Sequence, residues 1–369
     1  MYICRILSKE DKPGLTKTYQ TYYKERFYYK FPRRWLWMHR MNPFKERESI
    51  KIWIAYDDEE NAVLGQTGTM IEPLKVGSDV IKMGWSVDTF LLPEFRGKGL
   101  GFQLQELNKG DNDIFGSFVM SNKNRRIKES LNATTLNPVF DMHLYIEQPA
   151  IPMLEHIFFI LHSYIHPSSR IKAMCLKFLG WFLNPKSKLS KLTHSNKDIA
   201  MERVSLDNLG AIDDIYASFK DRYECMIERS SKYIKWKHID QPYNQNELYY
   251  LKLSQQYIGY VVLRHCHESK SKVGLIVDFI CTNNVKEIIK GLYILAIDLL
   301  KRKGSKVIEV ATIESDHIKI LIGLGFKVGG KIFPLVNVKD PEVLKKLQKS
   351  FYLSIGDQDW NQFPYTGSL

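Results

Sequence analysis

The chain has 369 residues, of which 44% are apolar, 12% aromatic and 25% charged. That exceeds what one hydrophobic core usually serves, so two domains are expected, and with no long low-complexity tract a mainly disordered chain is not. Lys and Arg (53) outnumber Asp and Glu (41), and the formal charge of +12 favours anionic partners such as nucleotides, phosphates, RNA or a membrane surface.

The N-terminal stretch MYICRILSKEDKPG has too short an apolar run for a secretory signal, so a cytoplasmic protein is expected. Cys4, Cys175, Cys225, Cys266 and Cys281 are scattered and form no Cys-x-x-Cys pair, so they read as reduced thiols with no metal site. In His265-Cys266-His267 strand neighbours point to opposite faces, so only the two histidines would share a side. The aromatic, basic stretch YYKERFYYKFPRRWL reads as helix and leads into WMHRMNPF, Trp37 to Phe44. ESIKIWIAYDDEENAVLGQTGTM then reads as strand, turn and strand, and MGWSVDTFLL as a further strand containing Val87 and Asp88.

Pro93 ends that strand, and RGKGLG, Arg96 to Gly101, opens the helical pattern FQLQELNK. A glycine-rich turn at a helix N-terminus presents backbone N–H groups at the positive end of the helix dipole, where a pyrophosphate binds well. A P-loop would need Ser or Thr after its lysine, yet Gly99 follows Lys98. A dinucleotide fingerprint would need G-x-G-x-x-G, and these residues read G-x-G-x-G. The fit is to R-x-x-G-x-G, at Arg96, Gly99 and Gly101.

LLPEFRGKGLG resembles the acyl-CoA loop of the GNAT acetyltransferase superfamily, departing at Leu91, where valine is usual. The resemblance implies an α+β fold of tandem GNAT-like domains, each a mixed, mostly antiparallel sheet flanked by helices. It implies that Arg96, Gly97, Lys98, Gly99, Leu100 and Gly101 hold the pyrophosphate of acetyl-CoA. It also implies that Phe90, Leu91 and Leu92 pair with the pantetheine and supply N–H groups to the oxyanion. DIFGSFVMSN is then the strand that splays to admit the thioester, with Asn122 at its end. Asp88, two residues before Phe90 on the same strand face, could take the amine proton, or could cap or pair structurally, as its counterpart Asp278 suggests. The family's usual tyrosine acid is missing from NKNRRIKESLNATTL, which leaves Tyr145, Ser121 or a water to protonate the thiolate.

The segment 151–192 reads as two helices with no acidic residue between Glu155 and Asp198. It is either a connector packed between domains or a basic amphipathic segment on anionic lipid. Beyond it the order of events repeats. WKHIDQPY, Trp236 to Tyr243, matches WMHRMNPF in Trp, His, Pro and the final aromatic; Gly259 takes the place of Gly65, and Val277-Asp278 that of Val87-Asp88. Three blocks in one order indicate a tandem duplication, and repetition makes packing the expected role of Trp37 and His39. CTNNVKEIIKGLY has neither the arginine nor the G-x-G, so the second unit is expected to keep the fold and lose the cofactor. The tail GDQDWN either reaches the cleft between units, to bind a sugar, or closes the last strand as a surface turn.

The expected organisation is an N-terminal GNAT domain over 1–150, a basic helical connector over 151–197 and a degenerate GNAT-like domain over 198–369. The whole order resembles bacterial two-domain GNAT proteins. That implies transfer of acetyl from acetyl-CoA to a primary amine of a small molecule, such as an amino sugar or sugar nucleotide, by direct attack in a ternary complex. Neither metal nor nucleic acid is expected. The competing readings are a Fem-type aminoacyltransferase using aminoacyl-tRNA, against which the intact loop argues, and a non-catalytic GNAT-fold scaffold in peripheral membrane contact through 151–192.

Overall fold

The computed structural model describes residues 1–45, 50–146, 198–243, 246–266 and 272–359. The basic connector and His267 lie outside them. The first half carries strands β1 (Tyr2–Ile6), β2 (Ile52–Asp57), β3 (Ala62–Val76), β4 (Asp79–Leu91), β5 (Ile114–Ser117), β6 (Thr134–Thr135) and β7 (Val139–Tyr145). Its helices are α1 (Lys12–Tyr23), α2 (Phe27–Lys30), α3 (Arg33–Trp35), α4 (Leu100–Gly110) and α5 (Asn122–Ser130). The second half carries β8 (Ile199–Arg203), β9 (Cys225–Ile227), β10 (Asn246–Leu253), β11 (Gln256–Cys266), β12 (Val273–Cys281), β13 (Val307–Thr312), β14 (Lys327–Ile332), β15 (Leu335–Val338) and β16 (Phe351–Tyr352).

Among the described residues these strands build two sheets, one in the order β1-β2-β3-β4-β5-β15-β6 and the other β14-β7-β13-β12-β11-β10-β8. Both are mixed and mostly antiparallel, with parallel pairing of β4 to β5 and of β12 to β13. The residues of β3 from Val63 onward are buried, so helices and neighbouring elements cover this sheet on both faces. That is the expected α+β class, with helices packed on mixed sheets. Among the described residues no helix is long and apolar enough to cross a membrane.

The halves trade strands. Strand β7 leaves the first half and inserts between β13 and β14, with Tyr145 opposite Val307 and Val139 opposite Ile332. Strand β15 makes the reverse crossing and pairs with β5 and β6, placing Leu335 opposite Ser117 and Thr135. The local orders β5-β15-β6 and β13-β7-β14 therefore match, each with a guest in the middle. A boundary at residue 150 divides the chain but not the sheets.

The repeated Trp-x-His blocks meet where the units face one another. Each occupies one wide helical turn in which an N–H reaches back five residues, Met41 to Leu36 and Asp240 to Lys235, both at 2.8 Å. The indoles of Trp37 and Trp236 stack at 4.9 Å with 19° between their planes. Each ring N–H donates to the other residue's carbonyl, at 2.9 Å from Trp37 and 3.4 Å from Trp236. This reciprocity is what an approximate two-fold relation between the units produces. His39 and His238, two positions on, are buried as well. Replacing either Trp37 or Trp236 with alanine should cost about 3–5 kcal/mol, the usual price of emptying a buried aromatic site. Because each ring is the other's partner, the double variant in chemical denaturation should lose clearly less than the two single losses added.

Candidate active site

At the end of β4, Pro93–Phe95 form one turn and the chain passes through Arg96, Gly97, Lys98 and Gly99 into α4. Gly97 (φ +83) and Gly99 (φ +79) adopt the left-handed conformation that side chains disfavour. Nothing lies within 4 Å of a side chain built at either, so the turn borders open space. Leu100 and Leu104 are buried with Ala55 and Leu64, which fixes the start of α4 against the sheet. The first N–H groups of a helix lack intrahelical partners, so this pinned N-terminus aims donors into the opening. Arg96 and Lys98 are exposed beside it; Arg96 Nε donates to the Leu91 carbonyl at 3.1 Å, and Lys98 Nζ lies 4.4 Å over the Tyr2 ring.

Beside the turn, β4 bulges. Phe90 opposes Gln66 and Val87 opposes Gly68, so β4 spends one residue more than β3 there, and Asp88 sits at φ +48. Phe90 lies beyond the bulge with its ring among Tyr19, Tyr22 and Tyr23 at 5.2, 4.5 and 5.3 Å. Leu91 pairs with Gly65, where a side chain would collide with the Phe90 carbonyl, and Leu92 N–H donates to Leu64 at 2.9 Å. Gly259 makes the same approach to Ile280, which explains why the glycine recurs.

Asp88 does not present a free carboxylate. Its side chain is 1% exposed and is held by Lys30 Nζ at 2.7 Å and by the Arg34 guanidinium. Burial alone would raise its pKa, but Arg34 and Lys30 prevail and hold it far below the usual carboxylate range. A carboxylate so held is a poor base, so the catalytic reading of Asp88 gives way to the structural one. The second unit repeats the clamp: Arg229 Nε binds Asp278 at 2.9 Å, and Tyr260 donates to the same oxygen at 2.8 Å.

Two further expected residues fall elsewhere. Tyr145 rides on β7 into the second sheet, away from the sheet whose β4 ends in Arg96–Gly101, so the strand exchange removes it as the acid at this loop. Asn122 is not at the end of a strand; β5 stops at Ser117, and Asn122 begins α5 behind the Ser121 cap.

Strands β4 and β5 pair only through Gly84–Phe115 and Trp85–Gly116 before they diverge. The tail enters this fork. Gln358 Oε1 accepts from the N–H groups of Phe118 and Val119 at 2.8 and 3.0 Å, and its Nε2 donates to the Ser86 carbonyl at 2.9 Å. Asp357 is bound by Arg229 at 2.8 Å and Asp359 by Arg34 at 2.8 Å. The tail therefore reaches the cleft as a buried strap, not as a surface turn; Trp360 lies outside the described residues. Under the fork, Gln105 links Thr67, Thr89 and Ser86 to Lys128, whose ammonium lies 2.5 Å from Gln105 Oε1 and 4.3 Å over the Phe115 ring. Burial pushes Lys128 down to about 7. Lys30, Arg34, Lys128 and Gln358 escape sequence reasoning, because a buried lysine or glutamine carries no local signature.

In the second unit the corresponding fork is filled. Tyr352 OH donates to the Phe279 carbonyl at 3.0 Å and Gly356 N–H to that of Val277 at 2.8 Å. The space left beside Tyr293, His317 and Tyr352 is about 10 Å³, room for roughly one water. Where the first unit has its glycine turn, Arg222 reaches the carbonyls of Cys281 and Thr282 that end β12.

Replacing Asp88 with asparagine leaves Lys30 and Arg34 under-compensated, so a stability loss of about 3–5 kcal/mol is expected in urea titration; undiminished stability would return the residue to the list of bases. Burial lowers His39 from its ordinary 6.5 to about 4 and His238 to about 3, so both are neutral when folded. The unfolded chain then binds more protons than the folded one below 6.5, and stability is full above that pH and falls as pH drops toward 4. Each should contribute on the order of 1–3 kcal/mol to that fall, and the variant with glutamine at both positions should show a flatter pH dependence of its urea midpoint.

No family model matches the chain, and no curated protein does. Solved structures do. A GCN5-related N-acetyltransferase from Anabaena variabilis is similar over 92% of this chain and 73% of its own, with a TM-score of 0.56 and 11% identity. The N-myristoyltransferase of Saccharomyces cerevisiae, with bound myristoyl-CoA, is similar over 91% of this chain and 82% of its own, with a TM-score of 0.53 and 10% identity. The GCN5-related glucosamine N-acetyltransferase region of a fungal multi-domain beta-N-acetylglucosaminidase is similar over 91% of this chain and 38% of that one, with a TM-score of 0.54 and 14% identity. At such identities the likeness is one of backbone, and the chain has the fold of the GCN5-related N-acetyltransferases.

Proposed function

We propose that the protein is an acyl-CoA-dependent N-acyltransferase with one working site, in the first unit. The observation that carries this reading is the cradle of Arg96, Gly97, Lys98, Gly99, Leu100 and Gly101 at the mouth of a forked pair of strands. Two glycines at positive φ with open space before them, two exposed cations and a pinned helix N-terminus suit a pyrophosphate. In this reading the backbone of Phe90, Leu91 and Leu92, just past the bulge, aligns the pantetheine; the Leu92 N–H is already given to Leu64, so charge developing on the thioester oxygen is met by the N–H groups that precede it. The filled fork and missing cradle of the second unit support a single site per chain.

The acyl group we favour is acetyl and the acceptor a primary amine on a small polar molecule, an amino sugar or sugar nucleotide. Of the rings beside Phe90, Tyr19 is wholly buried in the core, and the half-buried Tyr22 and Tyr23 are the ones on which a sugar ring would stack. The similar glucosamine N-acetyltransferase region points the same way.

Isothermal calorimetry tests the cofactor half. Acetyl-CoA should bind the wild type at one site per chain, and Gly99→Trp, which fills the cradle and strains φ, should weaken binding at least about ten-fold while costing only about 1 kcal/mol of stability. Equal binding by both proteins removes the loop from the cofactor site. Release of free thiol from acetyl-CoA across a panel of amino sugars, sugar nucleotides and simple amines then identifies the acceptor class.

A further inference from the structure

Parallel strands that part company leave unpaired N–H and C=O groups on their facing edges. Between β4 and β5 those groups are the Ser86 carbonyl and the N–H groups of Phe118 and Val119, and the amide of Gln358 satisfies all three. One side chain thus stands in for the missing backbone ladder and closes the base of the fork.

Everything fastens it there. Gln358 is 2% exposed and its backbone is held at φ +58. Its carbonyl accepts from Lys237 Nζ at 2.5 Å, and Lys237 is paired with Glu72, which accepts from the Trp85 indole at 2.8 Å. Asp357 and Asp359 on either side are bound by Arg229 and Arg34. The neighbouring side chains Trp85 and Phe118 are themselves fully buried, so the strap has no slack behind it.

We propose that Gln358 is the floor of the acyl pocket and restricts the first unit to short acyl groups. The inference rests on the acyltransferase reading above and adds to it a residue that sets the donor. A thioester entering from the Arg96–Gly101 end meets the bulge at Asp88 first and the Gln358 amide next. An acetyl group ends before that amide, whereas a longer chain would have to break three hydrogen bonds between buried groups to advance, and buried polar groups left unpaired oppose it.

The test is calorimetric binding of free CoA, acetyl-CoA and hexanoyl-CoA to the wild type and to Gln358→Ala, Gln358→Asn and Gln358→Leu, with melting temperatures confirming that each is folded. The wild type should bind hexanoyl-CoA about ten-fold or more weakly than acetyl-CoA. Alanine, or asparagine should alanine not fold, should narrow that ratio several-fold, while leucine, which fills similar volume but makes none of the three hydrogen bonds, should narrow it less than alanine does. Equal affinity of the wild type for the two acyl-CoAs overturns the proposal, as does an unchanged ratio in the shortened variants. Free CoA carries no acyl group, so its failure to bind any of the proteins condemns the acyltransferase reading itself and the inference with it.

Discussion

Arg229 grips Asp278 of β12 and Asp357 of the tail at a place where none of the three side chains is more than 1% exposed, and the course of the last described residues follows from that grip. A buried guanidinium flanked by two carboxylates adds little net stability, but removing either partner strands a charge in the buried interior. Such a cluster specifies position more than it strengthens the fold. With Asp357 fixed, Gln358 has one place to go, and Asp359 falls within reach of Arg34.

The same constraint turns a near-symmetric molecule into an asymmetric one. Lys30 and Asp88 stand in the first unit where Arg229 and Asp278 stand in the second, and the paired indoles of Trp37 and Trp236 mark the axis between them. A single strap cannot obey that symmetry. It lays Tyr352 and Gly356 across the second fork and sends the Gln358 amide and the Asp359 carboxylate to the first unit, so the second fork keeps room for about one water while open space remains beside the glycine turn of the first.

What was legible in the residues is what is local. The Arg96–Gly101 turn, the apolar strand before it and the helix after it are encoded within a few residues of one another, and the duplicated Trp, His, Gly and Asp positions are visible as spacing. The loss of the cradle after Ile280 is equally local. The clamp on Asp88 was not legible, since Lys30 and Arg34 come from a distant helical segment and look like ordinary solvated cations in a basic stretch. Nor was the strand exchange, because β7 and β15 carry the alternation of any half-buried strand and nothing in that pattern names the sheet they join. Tyr145 was misplaced for this reason. The tail declared its polarity and hid its burial, as acidic turns do when their partners lie far away in sequence.

The crossing of β7 and β15 also orders events in time. Sheets are completed as the chain is made, from the N-terminus onward, and the sheet that bears the Arg96–Gly101 turn waits for a strand, Leu335–Val338, that is synthesised long after its neighbours β5 and β6. Meanwhile Val139–Tyr145 is on hand well before the β13 and β14 edges between which it belongs. Until Leu335–Val338 has been made, the edge of β5 that it covers lacks its native partner and is the kind of edge that invites wrong ones, so neither sheet can close before that strand and β14 are both on hand.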